Sequence, residues 1–347
     1  MNLISRALIV NAIVKWFFMK IAIIKLSSLG DIVHSMVVLQ FIKKYYSESE
    51  IDWVVEKKFQ GVLENNPHIN KIHTVNLSGV KKKKSLKLLF KELLKVRKFG
   101  KYDLIIDAQG LIKSAIVLKL MKGNKTVGFD KNSIREPLAA YFYSDKVSVG
   151  YDENTIERYI SLIVMAFKIT VLRNEIINKN LFLFSSSIVN IPKKPYIVFV
   201  IGSTWESKNY PKEQFIEVAQ SLSRTCIVLW GNEKERKKAD WMKSKSKYIK
   251  VMPKLSFDEL KYVIQQSSLL IGNDTGPTHM AWALNRPSIT LFGPTPIERA
   301  FQTPINKILK SGSKINHFKL NKNDFSITEI KVSNIIKIAN DLLGENI

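Results

Sequence analysis

Short apolar runs alternate with helix-period segments along most of the chain, and they do so in two separate series. A strand that is apolar throughout, rather than at every second residue, is buried on both faces. That is the signature of a parallel sheet with helices on either side. In the first series residues 20–25, 51–55, 72–75 and 102–107 read as strands, with helices expected over 31–46, 85–97 and 111–121. The second has strands at 196–201, 226–230, 269–272 and 288–292, and helices at 212–223 and 257–266. Each series is a set of βαβ units, so the fold class is α/β with two doubly wound halves. A length of 347 residues agrees, being too long for one comfortable core. The polar stretches Ser185-Ser186-Ser187 and Pro192-Lys193-Lys194-Pro195 place the join near residue 190. The expected domains are therefore 19–188 and 189–325, closed by a helix in 326–347 that carries Ile330, Val332, Ile335, Ile336, Ile338 and Leu342.

Residues 1–18 hold an apolar run interrupted by Asn11 and Lys15, short of the roughly 20 residues a spanning helix needs. Met19 reads as the more natural start. The segment before it is expected to be an extension or a mis-assigned start, with an interfacial helix or an anchor as alternatives. A single cysteine, Cys226, excludes an internal disulfide or a cysteine zinc site and points to a reducing compartment. Lys plus Arg outnumber Asp plus Glu by 54 to 30, a net +24 that should draw the chain toward an anionic partner. Nucleic acid fits that charge, but no zinc-finger, RRM or helix-turn-helix pattern accompanies it.

The chemistry-bearing residues fall in the turns that follow the strands. After the first strand comes Leu26-Ser27-Ser28-Leu29-Gly30-Asp31. One glycine is too few for the Gly-x-Gly-x-x-Gly of a dinucleotide reader, and no Gly-x4-Gly-Lys-Ser/Thr loop exists anywhere. Asp31 has two readings, a cap on the following helix or a carboxylate placed where α/β enzymes put reactive groups, with His34 one turn on. After the strand at 269–272 comes Asn273-Asp274-Thr275-Gly276-Pro277-Thr278-His279. Such a strand-to-helix turn binds anions through the N–H groups of Thr275 and Gly276, unless Asp274 or Thr275 merely caps the helix. The loop Gly202-Ser203-Thr204-Trp205-Glu206-Ser207-Lys208 offers two hydroxyls and a lysine suited to a diphosphate. The loop after 226–230 holds Glu233 and Glu235, either of which suits ribose hydroxyls. No metal-ligand spacing is present.

Five segments together resemble the family 9 glycosyltransferases, the heptosyltransferases of lipopolysaccharide core synthesis. They are Lys25-Leu-Ser-Ser-Leu-Gly-Asp31-Ile-Val-His34, Asp107-Ala-Gln-Gly-Leu-Ile-Lys-Ser114, Arg135-Glu-Pro-Leu-Ala139, the Thr204 to Lys208 loop, and Asp274-Thr-Gly-x-x-His279. The second and third point to the enzyme that adds the first core heptose rather than the second. The resemblance implies a GT-B fold, in which two Rossmann-like domains face each other across a cleft. It also implies an ADP-heptose donor, a Kdo-lipid A acceptor, inversion at the anomeric carbon, and neither cofactor nor metal. On this likeness Asp31 is the general base, while Lys208, Ser203 and Thr204 neutralise the departing diphosphate. Thr275 and Gly276 hold phosphate, Asp274 and His279 orient the donor, Glu233 or Glu235 takes the ribose, and main chain near Leu255 meets adenine. Ser28, Gly30, Lys113 and Arg135 fall to the acceptor. A family 9 enzyme acting on a later core sugar is the alternative, and a nucleic-acid partner is not expected.

Residues 81–98 carry nine basic residues against Glu92, with Leu86, Leu89, Phe90, Leu93 and Leu94 at helical spacing. This predicts an amphipathic helix with a basic outer face. Its two readings are a solvated surface and a peripheral contact with the anionic cytoplasmic face of the inner membrane, where the acceptor lies.

Overall fold

The computed structural model describes residues 18–192, 195–317 and 319–344. All but Phe18 of the extension expected at 1–18, and part of the Pro192 to Pro195 join, lie outside them. The chain divides into two compact units, one ending at Lys179 and the other starting at Asn180. That join falls earlier than residue 188, because residues just past it are bound into the second unit. The Phe182 N–H donates to Ala283 O (3.0 Å), and its ring packs edge-on against Trp282.

The first unit runs β1 (Lys20–Ile24), α1 (Leu29–Ser35), α2 (Val38–Tyr45), β2 (Glu50–Glu56), α3 (Gln60–Leu63), β3 (Lys71–Val75), α4 (Leu77–Lys83), α5 (Leu86–Val96), β4 (Lys101–Asp107), α6 (Ile112–Leu120), β5 (Lys122–Phe129), β6 (Asp145–Val147), α7 (Thr155–Phe167) and α8 (Arg173–Ile177). The second runs β7 (Ile197–Val200), α9 (Lys212–Leu222), β8 (Cys226–Leu229), α10 (Glu233–Lys245), β9 (Ile249–Val251), α11 (Phe257–Gln265), β10 (Leu269–Asn273), α12 (Gly276–Ala283), β11 (Ser288–Phe292), β12 (Asn306–Lys310) and α13 (Val332–Leu343).

Each unit is built on one six-stranded parallel sheet, ordered β3-β2-β1-β4-β5-β6 in the first and β12-β11-β10-β7-β8-β9 in the second. Counting strands from the start of each unit, both follow the order 3-2-1-4-5-6. Strand order therefore reverses once per unit, between β1 and β4 and between β7 and β10. In an open α/β sheet the ligand crevice lies outside the carboxyl ends of the strands at that reversal.

Apolar runs locate the central strands well, since Ile21 to Ile24 and Leu269 to Ile271 are fully buried. The strands that sequence reading does not find, β5, β6, β9 and β12, lie at a sheet edge or next to one, half-exposed and broken by lysine, glycine or asparagine. The single helix expected over 31–46 is two helices. Ser35 Oγ donates to Ile32 O (2.9 Å), competing with the main-chain ladder where α1 ends. The closing helix α13 turns Val332, Ile335 and Ala339 into the second unit's core beside α9.

Candidate active site

In the first unit, β1 and β4 each end in a loop, and the side chain of one holds the backbone of the other. Gln109 Oε1 accepts the N–H of Leu26 (3.1 Å) and of Ser27 (3.0 Å). Its own loop is shaped by Asp107, which is fully buried and accepts the N–H of Gln109 (2.8 Å) and Gly110 (3.2 Å) and the hydroxyl of Tyr143 (2.8 Å). Burial pushes the Asp107 carboxyl up, opposed by these donors. Gly110, at φ +66°, supplies a left-handed residue that a side chain would strain. The segment Asp107-Ala-Gln-Gly thus acts as a bracket for the turn that carries Asp31.

Asp31 lies half-buried in the first turn of α1, where its Oδ2 accepts both the N–H (3.0 Å) and the Oγ–H (2.6 Å) of Ser28. The capping role is therefore real, but it engages one carboxylate oxygen with both bonds. Beneath the loop, Lys25 is buried with Nζ donating to Ala108 O (2.9 Å) and lying 4.8 Å from the Tyr159 ring centroid. Burial lowers its ammonium to about 8, against the upward pull of Asp31 and Asp107. Lys113 reaches the same loop, its Nζ donating to Ser27 Oγ (3.2 Å). His34 is buried, Gly30 sits half-buried within α1, and Arg135 is exposed.

In the second unit, the loops after β7 and β10 meet through an ion pair. Lys208 Nζ lies 2.8 Å from Asp274 Oδ2, with both side chains buried. Asp274 also meets His279 Nε2 (3.0 Å) through Oδ1 and accepts from Thr295 Oγ1 (2.8 Å). Burial alone would raise this carboxyl, but Lys208 and the His279 hydrogen bond outweigh it and hold Asp274 well below the usual carboxylate range. Thr275 is the residue before α12, with no side-chain bond to the helix end, so the capping role falls to neither Asp274 nor the Thr275 hydroxyl. Thr204 is exposed, while Ser203 Oγ is buried with no hydrogen-bond partner among the described residues.

Structure separates the two glutamates that sequence leaves open. Glu233 is exposed on α10 beside Arg236. Glu235 turns back over the strand ends, accepting the Gly231 N–H (2.7 Å) and the Asn232 Nδ2–H (2.7 Å). A side chain at Gly202 would collide with its carboxyl, so the absence of a Cβ after β7 gives Glu235 its place. Leu255 lies half-buried beyond β9, and the nearby Met252 carbonyl is taken by Trp230 Nε1 (2.7 Å). Lys25, Gln109 and Thr295 escape the sequence reading as site residues; the only signal for them is position, each standing just past a strand end. Among the described residues no three His, Cys, Asp or Glu side chains gather to hold a metal ion.

Residues 89–324 match the model of glycosyltransferase family 9 (heptosyltransferase). Over 94% of this chain and the whole of the relative, the sequence is 40% identical to lipopolysaccharide heptosyltransferase 1 of Campylobacter coli. It is 30% identical to lipopolysaccharide heptosyltransferase 1 of Pseudomonas aeruginosa over 80% of this chain and 79% of that one. In structure it is similar to E. coli heptosyltransferase WaaC with ADP-2-deoxy-2-fluoro heptose, with a TM-score of 0.76, 24% identity, and coverage of 93% of this chain and 99% of that one. Two doubly wound units of this topology make up the GT-B fold. The chain belongs to glycosyltransferase family 9, the heptosyltransferases.

Proposed function

We propose that this enzyme transfers heptose from ADP-L-glycero-D-manno-heptose to a Kdo residue of Kdo-lipid A in the lipopolysaccharide inner core, with inversion at the anomeric carbon. The observation that carries the reading is Asp31, a half-buried carboxylate at the carboxyl end of β1, where strand order reverses, with its loop held by Gln109. In a single displacement the acceptor hydroxyl attacks the anomeric carbon, its proton passes to Asp31, and ADP leaves with the electron pair of the broken glycosidic bond. Ser28 bonds Asp31 Oδ2 through its N–H and its hydroxyl and so fixes where the carboxylate that takes the proton stands.

The second unit serves the donor. Lys208, oriented by Asp274, balances the charge that grows on the diphosphate as the bond breaks, which stabilises the transition state more than the ground state. Ser203 and Thr204 add hydroxyl donors, and the N–H groups of Thr275 and Gly276 at the start of α12 hold phosphate. Asp274 and His279 set the donor's orientation, Glu235 receives the ribose, and adenine rests near Leu255. Lys113 and Arg135, with Ser28 and Gly30, bind the anionic acceptor. That acceptor is lipid-borne, which places the enzyme at the cytoplasmic face of the inner membrane as a peripheral protein. No helix among the described residues is long and apolar enough to cross a membrane.

The test is an HPLC assay with ADP-heptose and either Kdo-lipid A or its heptosylated product as acceptor. Turnover is expected on the first alone, and Asp31→Asn should lower it by about 10²–10⁴ while ADP binding persists. Transfer only to the heptosylated acceptor would overturn the acceptor, and a fully active Asp31→Asn enzyme would overturn the base.

A further inference from the structure

The apolar positions of α5 do not all turn inward. Leu86, Phe90 and Leu94 are 81%, 64% and 44% exposed, and of the whole helix only Val96 is buried. Spaced four residues apart, they form a stripe about 12 Å long on one side of the helix. Sequence predicts a basic outer face for this helix, and the structure exposes these apolar side chains as well.

The stripe continues onto the neighbouring elements. α5 packs beside α6, on which Ile112 and Ile116 are exposed, and α6 packs beside the 3-10 turn Pro137–Phe142, which exposes Leu138 and Tyr141. Lysines lie beside this stripe, on α5 and just before it: those at 81–84, 87 and 91 are all exposed. The two carboxylates close by are engaged by main chain, Glu92 accepting the Asn76 N–H (3.1 Å) and Glu136 the Ile112 N–H (2.7 Å). The surface thus combines exposed apolar side chains with exposed lysines.

We propose that α5, α6 and the Pro137–Phe142 turn form a docking face that inserts Leu86, Phe90 and Leu94 into the interfacial layer of an anionic phospholipid bilayer. The inference rests on the lipid-borne acceptor proposed above and names the surface that meets the lipid. Charge and apolarity choose the occupant together. A polyanion such as RNA would satisfy the lysines but leave the leucines and phenylalanine in water. A second copy of the chain would cover the stripe but oppose lysine to lysine. Anionic headgroups over acyl chains satisfy both. The face also adjoins the residues assigned to the acceptor, since Lys113 stands in the first turn of α6 and Arg135 just before the Pro137–Phe142 turn.

The experiment is sedimentation of the full chain with vesicles of phosphatidylcholine alone or with 30% phosphatidylglycerol added, for the native protein and for a Leu86→Ser/Phe90→Ser/Leu94→Ser variant. The native protein should bind the anionic vesicles. The variant, altered only at exposed positions, should bind them at least tenfold more weakly at low salt, yet match the native turnover on a deacylated, water-soluble acceptor. A second reporter is Phe90→Trp, whose added emission should shift to the blue on anionic vesicles. Equal vesicle binding by native protein and variant, or no blue shift, overturns the insertion. So does a native dimer in vesicle-free buffer that the variant converts to a monomer, because a second copy then covers the stripe. Absence of native turnover on the soluble acceptor instead strikes the reaction proposed above, and leaves the vesicle comparison to decide this proposal separately.

Discussion

Lys208 and Asp274 stand 2.8 Å apart, a lysine from the loop after β7 and an aspartate from the loop after β10, both out of solvent. Removing one partner of such a pair strands the other charge, at a cost of about 3–5 kcal/mol. Lys208→Met should therefore lower stability on that scale as well as ADP affinity. Its acid limb also follows. A carboxyl depressed in the folded state contributes stability that is present above its unfolded value, about 3.9, and is lost as pH falls through the folded value. Without Lys208 the buried Asp274 takes up its proton at higher pH, so the acid-unfolding midpoint, followed by circular dichroism, should move upward. An unchanged midpoint would mean that His279 and Thr295 suffice.

Gln109 tests whether the bracket matters to turnover. Gln109→Leu leaves the Leu26 and Ser27 N–H groups without their acceptor, at about 1–3 kcal/mol for each donor that stays buried. Because the loop it holds carries Asp31, kcat should fall well beyond any change in donor KM. Steady-state kinetics at saturating acceptor separate the two, and an effect confined to donor KM would contradict the positioning role.

Glu235 and Glu233 make a paired comparison. Glu235→Ala should weaken ADP binding by calorimetry, whereas Glu233→Ala, exposed on α10, should not. Gly202→Ala should mimic the first, because its new methyl displaces the Glu235 carboxyl. The carboxyl is the free end of a flexible side chain, so that variant should keep its melting temperature while losing affinity.

Lys25 predicts an alkaline effect. Its folded value is about 8, while an unfolded lysine titrates near 10.4. Between those two values the unfolded chain holds a proton that the folded one has released, so stability from this residue rises with pH there; below about 8 it adds no slope. Urea midpoints at pH 7.5 and 10 should show a smaller rise for Lys25→Met than for the native protein.

What sequence made legible was what repeats locally. The central strands announce themselves as apolar runs, and Asp31, Lys208 and Asp274 stand out because each follows such a run. Pairings across the sheet carry no local mark. Gln109 bonds a residue 83 positions away, and nothing near it in sequence says that Leu26 and Ser27 need an acceptor. On α5 the sequence shows the helical period, but a period says which side chains share a side and not what that side faces.

The repeated 3-2-1-4-5-6 order bears on how such enzymes diversify. In both units the residues proposed for the chemistry sit on loops that begin at buried strand ends, so the framework does not depend on which side chains the loops present. On the assignment proposed above, drift in the turns after β1 and β4 would retune which sugar is accepted while the turns after β7 and β10 went on reading the same nucleotide. One scaffold, used twice in a single chain, lets selection act on the two substrates one at a time.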